Sequence, residues 1–284
     1  RILNPDKLTP LLEKTVITRS FKEIAGDKYK INQIRIDQTE KERELYNIII
    51  KEFNRLLHYF RKSGNSKKES MLKLIRQITL LRDSCSIPFK FSEFKGNTFN
   101  KAKKIFSMIE AKNNKWAVGC ILKNAVSYYE KEFKKLDRKV FVITGDKTFK
   151  KRQAIIKEFE ESANGILLST QQALSEAIDI PSCQNVIIES LMWNIPRILQ
   201  YAFRFVRFQS EGITNIYFVN YNNTIEMNML ALLMAKEQIN DYIKTFEVKE
   251  QSNILKDYNI DEDIYNFMLE RSKDEYGKSF IKVA

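Results

Sequence analysis

Residues 165–209 read GILLSTQQALSEAIDIPSCQNVIIESLMWNIPRILQYAFRFVRFQ. An apolar run, Gly165–Leu168, leads into Ser169 and Thr170. A second, Asn185–Ile188, ends in Glu189, and a helical stretch carrying Arg204 and Arg207 follows. Short apolar runs joined by a polar connection suit adjacent, doubly buried strands of a parallel sheet. Ligands of such sheets bind at the carboxyl ends of the strands, which puts Ser169, Thr170 and Glu189 in the binding zone. Three apart on a helix, Arg204 and Arg207 share one face and can point at one anion.

Outward from this stretch the pattern keeps alternating. Helix Lys101–Ala111, strand Trp116–Ile121, helix Ala125–Leu136, strand Lys139–Thr144 and helix Lys150–Glu161 lead up to it. Helix Pro196–Phe205 and strand Asn215–Val219 close the set. Such alternation argues for an α/β fold, a parallel sheet with helices on both faces. Ahead of it, an extended run near Tyr29–Ile36 precedes a helix opened by Thr39 and Glu42 in capping-box spacing. Leu45, Ile49, Phe53 and Leu57 recur with helical period, and Met71–Leu81 reads as a further amphipathic helix. Past Asn222 the chain reads as helical again, with Met227–Met234 as a core-facing stripe. The division expected is therefore 1–99 helical, 100–221 α/β and 222–284 helical extension.

The 284 residues carry a formal charge of +12. A basic excess spread along the chain suggests a polyanionic partner, most simply nucleic acid. Richness in Lys, Ile and Asn through AT-rich coding is the plainer explanation of the same excess. Cys85, Cys120 and Cys183 are far apart, which points to neither zinc nor disulfides and fits a reducing, intracellular compartment. The lone His58 sits in a helical run, which argues against a Ser-His-Asp triad. No apolar run approaches the roughly 18–20 residues that cross a bilayer. Arg1-Ile2-Leu3-Asn4-Pro5 lacks the apolar core of a signal peptide and reads as a cut inside a longer chain.

Four pieces carry a resemblance: Leu167-Leu168-Ser169-Thr170, Ala177-Ile178-Asp179-Ile180, Trp193-Asn194-Ile195-Pro196, and Gln200, Arg204, Arg207. In order and spacing they are similar to motifs V and VI of superfamily-2 helicases, in the pattern of the Swi/Snf-type DNA translocases. The resemblance implies a second, C-terminal RecA-like lobe, flanked by an N-terminal helical insertion (1–99) and a C-terminal helical brace (222–284). An unrelated helical cap is the other reading of the first third.

The resemblance further implies an ATP-driven translocase or helicase. Arg207 would act as the arginine finger and Arg204 as its partner at the phosphates, with Gln200 orienting the helix. Glu176 and Asp179 would lie near the nucleotide, or stand as solvated loop acids. Lys123, Asn124, Gly145, Asp146, Lys147, Arg152, Ser169, Thr170, Gln171 and Trp193 would face the DNA backbone. The partners implied are double-stranded DNA, with single-stranded DNA or RNA as alternatives, and an N-terminal RecA-like lobe of the same protein. The setting would be cytoplasm, nucleus or a viral replication site. ATP and Mg2+ would rest mainly on that first lobe, because the sequence has no G-x-x-x-x-G-K-[ST] loop. Gly277-Lys278-Ser279 is preceded by Ser272 where the loop needs glycine, and Asp261-Glu262 lacks the strand a metal-binding acid pair follows. Departures from the pattern are Ala173, Leu174 and Ala177 in place of motif V glycines and Phe203 before Arg204. They keep a second reading open: a catalytically degenerate lobe that binds nucleic acid or protein.

Overall fold

The computed structural model describes residues 28–62, 67–174, 179–192, 195–207, 210 and 212–231, together with Pro10. Its strands are β1 (Tyr29–Ile36), β2 (Trp116–Cys120), β3 (Val140–Ile143), β4 (Ile166–Thr170), β5 (Asn185–Ile188) and β6 (Thr214–Tyr221). They form one sheet in the order β1-β6-β5-β2-β4-β3, with every neighbouring pair parallel. Every residue of β2, β4 and β5 is buried, as expected of strands covered on both faces. The edge strands β1 and β3 are only partly buried.

The helices are α1 (Glu40–Lys62), α2 (Lys67–Ser86), α3 (Asn100–Glu110), α4 (Lys123–Phe133), α5 (Phe149–Glu161), α6 (Gln171–Leu174) and α7 (Ile195–Ala202). Strand register shows which face each covers. Val118, Ile187 and Tyr217 are paired neighbours and so share a face, on which Trp116 stacks against Tyr217. Over that side lie α3 and α4, whose Phe106 and Phe133 meet at 6.4 Å. On the other face, α5 packs Phe159 on Phe141, and α7 lays Tyr201 over Gly119. Helices thus flank both faces of an all-parallel sheet, a RecA-like α/β arrangement.

The run Tyr29–Ile36, grouped by sequence with the 1–99 segment, belongs to this sheet. It pairs with β6 along its full length, from Tyr29 opposite Thr214 to Ile36 opposite Tyr221. The capping box ahead of α1 forms in both directions. The Thr39 N–H donates to Glu42 Oε2 (2.8 Å), and the Glu42 N–H donates to Thr39 Oγ1 (3.3 Å). The same Glu42 carboxylate also accepts from the Asn100 N–H at 3.3 Å and from the Tyr221 hydroxyl, which ties α1 to α3 and β6. Leu45, Ile49, Phe53 and Leu57 of α1 are buried, as are Leu74, Ile78 and Leu81 of α2, the helix packed against it. Beyond β6, Asn223 takes a left-handed φ of 54°. Asn tolerates that conformation at a turn, and Thr224 then opens a helical segment at 225–231.

At Gly119 a helix approaches the sheet closely. A Cβ there would fall 2.6 Å from the Tyr201 ring, whose hydroxyl lies 3.1 Å from Ser169 Oγ. Both groups are buried, so the ring has little room to retreat. Gly119→Ala is expected to destabilise the fold by about 1–3 kcal/mol, the usual cost of overpacking a core. Thermal or urea unfolding checks this, and an unchanged midpoint would show that α7 is not seated on β2 in this way.

Candidate functional site

The residues singled out by sequence separate into two groups at different ends of the sheet. At the carboxyl ends of β2 and β3, Lys123 and Asn124 are exposed in the first turn of α4, and Gly145 and Asp146 are exposed in the loop before α5. Lys147 is half-buried. Neither helix has a side-chain cap at its N-cap residue, Leu122 or Thr148, so first-turn N–H groups stay unclaimed by a cap. Asp146 accepts a hydrogen bond from the Thr144 hydroxyl, which holds its carboxyl below the usual range. An ionised carboxylate repels phosphate, so Asp146 shapes the turn while Gly145 and the nearby lysines offer donors.

Other residues expected at this surface are inside. The Ser169 hydroxyl is fully buried against Tyr201. Thr170 is 7% exposed as the last residue of β4. Gln171, fully buried, donates to the carbonyls of Gly119 (3.0 Å) and Ser190 (2.7 Å). Arg152 is 9% exposed and donates to backbone carbonyls. These side chains brace the loops from beneath and do not reach solvent. Glu189 is also interior and fully buried: burial raises its carboxyl to about 7, against the pull of Lys101.

Arg204 and Arg207 form the second group. The sequence put them on a helix, but α7 ends at Ala202. Backbone bonds then tighten to i→i+3, from Arg204 N–H to Tyr201 and from Phe205 N–H to Ala202. Packing explains the break: Phe205 is fully buried against Tyr201, while Phe203 turns to the Tyr29 ring of β1 (5.4 Å, edge-on). The turn is fastened near the amino ends of β6 and β1. Thr214 Oγ1 donates to the Phe205 carbonyl (3.2 Å), and Lys28 Nζ donates to the Ser210 carbonyl (3.1 Å).

The two guanidinium groups nevertheless converge, through a carboxylate. Arg207 donates to Asp179 Oδ1, and Arg204 Nη1 lies 3.5 Å from the same oxygen. The hydrogen bond from Arg207 holds the Asp179 carboxyl below its ordinary range. Backbone reinforces the pairing, since the Ile180 N–H donates to the Arg204 carbonyl at 2.7 Å. Asp179 is 52% exposed, so the clasp opens to solvent. Arg207 Nε is buried and has no hydrogen-bond partner among the described residues. Gln200 is exposed on α7, while Glu176 and Trp193 lie outside the described residues.

Residues 99–209, which span both groups, match the helicase conserved C-terminal domain family. The fold agrees with two solved lobes. The C-terminal part of the Fun30 ATPase domain superposes with a TM-score of 0.60 at 16% identity, covering 88% of this chain and 99% of that one. The Sulfolobus solfataricus SWI2/SNF2 ATPase C-terminal domain gives 0.57 at 14% identity, covering 84% and 98%. An uncharacterized ATP-dependent helicase of Mycoplasma pneumoniae is 23% identical over 174 residues, 60% of this chain. The matched region spans 17% of that relative's length.

Within this lobe the departures from the motif pattern become intelligible. Ala173 and Leu174 stand in α6, a helical turn that needs no left-handed backbone. Among the described residues, Asn223 is the one non-glycine at positive φ. Ala177 lies outside the described residues. Phe203 packs edge-on against the Tyr29 ring of β1.

Sequence reasoning missed one polar cluster. Lys101 is fully buried, with Nζ 2.5 Å from Glu226 Oε1 and 3.1 Å from the Glu189 carbonyl oxygen. Ser86 donates to Glu189 Oε2 at 3.0 Å, and the Glu226 carboxylate accepts the Tyr221 N–H at 2.8 Å. Lys101 sits among Asn100, Lys103 and Lys104, so its sequence neighbourhood did not mark it as interior. The cluster joins α2, α3, β6, the 225–231 helix and the residue just past β5 at one point.

Proposed function

We propose that this chain is the second motor lobe of an ATP-driven DNA translocase and supplies arginines to a nucleotide carried by a first lobe. The observation that carries the reading is the convergence of Arg204 and Arg207 on one half-exposed carboxylate oxygen. Two guanidinium groups aimed at one point are suited to a phosphate, which offers more charge and more acceptor oxygens than Asp179. An ion pair this exposed is held weakly, so an incoming phosphate can displace the carboxylate at modest cost. ATP with Mg2+ would be held mainly by the first lobe, with Arg204 and Arg207 as this chain's contribution.

The nucleic-acid surface would be the opposite end of the sheet, at Lys123, Asn124, Gly145 and Lys147. A charge of +12 supports a polyanionic partner. Separate edges for nucleotide and backbone let both be held at once, as stepwise translocation requires. The alternative, a lobe without catalysis, rests on the departures from the motif pattern at Ala173, Ala177 and Phe203.

Fluorescence anisotropy with labelled duplex, single-stranded DNA and RNA tests the surface. Duplex is expected to bind without sequence preference, with log affinity falling against log salt by about 0.9 per phosphate neutralised. Lys123→Ala and Lys147→Ala are each expected to reduce that slope by about 1. A salt-insensitive profile, or equal slopes in wild type and both variants, would remove this surface from the reading. Preference for single strands or RNA would reassign the substrate.

A further inference from the structure

Arg152 stands in the first turn of α5, yet its guanidinium reaches two separate loops. Nε donates to the Lys147 carbonyl (2.9 Å) and Nη2 to the Gly145 carbonyl (3.5 Å), both in the loop after β3. Nη1 donates to the Ala173 carbonyl (2.9 Å), in α6 after β4. A guanidinium that is 9% exposed needs such partners, because a buried charge without them is costly. These three acceptors, all among the described residues, are backbone atoms, so through them Arg152 fixes the course of the chain. The planar fork sends donors in diverging directions, which one ammonium group cannot reproduce. From beneath, Gln171 holds the start of α6 to the ends of β2 and β5. Along the chain, α6 precedes Asp179, the carboxylate that gathers Arg204 and Arg207.

We infer that Arg152 is a positioning residue that clasps the Gly145–Lys147 loop to α6, so that a load on the loop is felt at the Asp179–arginine clasp. The coupling part rests on the proposed motor function; the clasp itself does not. Nothing in this role requires Arg152 to touch nucleic acid.

Two measurements separate these parts. Amide hydrogen exchange on the chain itself compares wild type, Arg152→Gln and Arg152→Lys. In Arg152→Gln, exchange is expected to rise about tenfold in both 144–148 and 171–174, as local opening becomes easier. Arg152→Lys is expected to restore protection on one side only. It also serves as the test if the glutamine variant does not fold. Unchanged protection, or a rise on one side alone in Arg152→Gln, overturns the clasp. In a protein that carries both lobes, Arg152→Gln is expected to lower DNA-stimulated kcat about tenfold while the KM for ATP moves less than twofold. A role confined to fold stability would lower kcat only in proportion to the folded fraction, so turnover is expressed per folded molecule, with that fraction read by circular dichroism; an unchanged kcat on that basis overturns the coupling. A wild type that DNA does not stimulate overturns the motor reading and the coupling together, leaving the exchange data to decide the clasp.

Discussion

Arg207→Ala, in a protein that carries both lobes, is expected to lower DNA-stimulated ATP turnover by about three orders of magnitude, the scale of an arginine finger. Fold and DNA affinity should stay near wild type. The reason is electrostatic: a finger acts on charge that develops in the transition state, so its loss costs turnover more than ground-state binding. Its geometry is suited to this, with Arg207 beside a half-exposed carboxylate and its Nε without a hydrogen-bond partner among the described residues. Arg207→Lys should rescue poorly, because an ammonium lacks the planar fork. Arg204→Ala should act in the same direction. Lys157→Ala, on an exposed face of α5, should change little. Since the Asp179 carboxyl is held below its ordinary range by Arg207, the clasp persists at neutral pH and is lost only in acid. Near wild-type turnover in Arg207→Ala, measured by steady-state phosphate release, would refute the finger and favour a lobe without catalysis.

Lys101→Ala is expected to cost about 3–5 kcal/mol of stability, the scale for breaking a buried ion pair from one side. Lys101 and its partner carboxylate on Glu226 are both fully buried, with Glu189 close by. Without the ammonium, two interior acids lose their cation. Burial already raises Glu226 above its usual value and Glu189 to about 7. A raised carboxyl contributes stability below its unfolded pKa, and that contribution is lost as pH rises through the folded value. For Glu189 the window runs from 4.5 to about 7. Lys101→Ala should push both acids further up, so its penalty should be larger at pH 8 than at pH 6. Replacing Lys101 and Glu226 together by Met and Gln should recover part of the loss, because the buried charge leaves with its partner. Urea unfolding at the two pH values checks this. A loss below about 1 kcal/mol would mean that the cluster does not hold the 225–231 helix to the sheet.

What the sequence revealed follows from what each element needs. The central strands β2, β4 and β5 are buried on both faces, so they stand out as unbroken apolar runs. Tyr29–Ile36 was visible as an extended run, but its partner β6 lies at the far end of the domain, so membership of the sheet was not legible. Arg204 and Arg207 were legible as a pair. Their placement was not, since the helix ends where Phe203 and Phe205 seek opposite partners. Hydroxyl and amide groups at strand ends read equally well as ligand contacts or as braces. Only the neighbours Tyr201, Gly119 and Ser190 turn Ser169 and Gln171 inward. The Lys101 cluster unites residues from several elements, and no local pattern announces such a junction.

ATP hydrolysis measured with and without duplex DNA tests the central claim most directly, on the 284-residue chain alone and on a protein that carries both lobes. The chain alone is expected to stay at background in either condition, because its sequence lacks a phosphate-binding loop. The two-lobe protein is expected to hydrolyse ATP, faster with DNA, and to lose that activity on Arg207→Ala. DNA-stimulated turnover by the chain alone would contradict the claim, since the nucleotide site would then lie within this lobe.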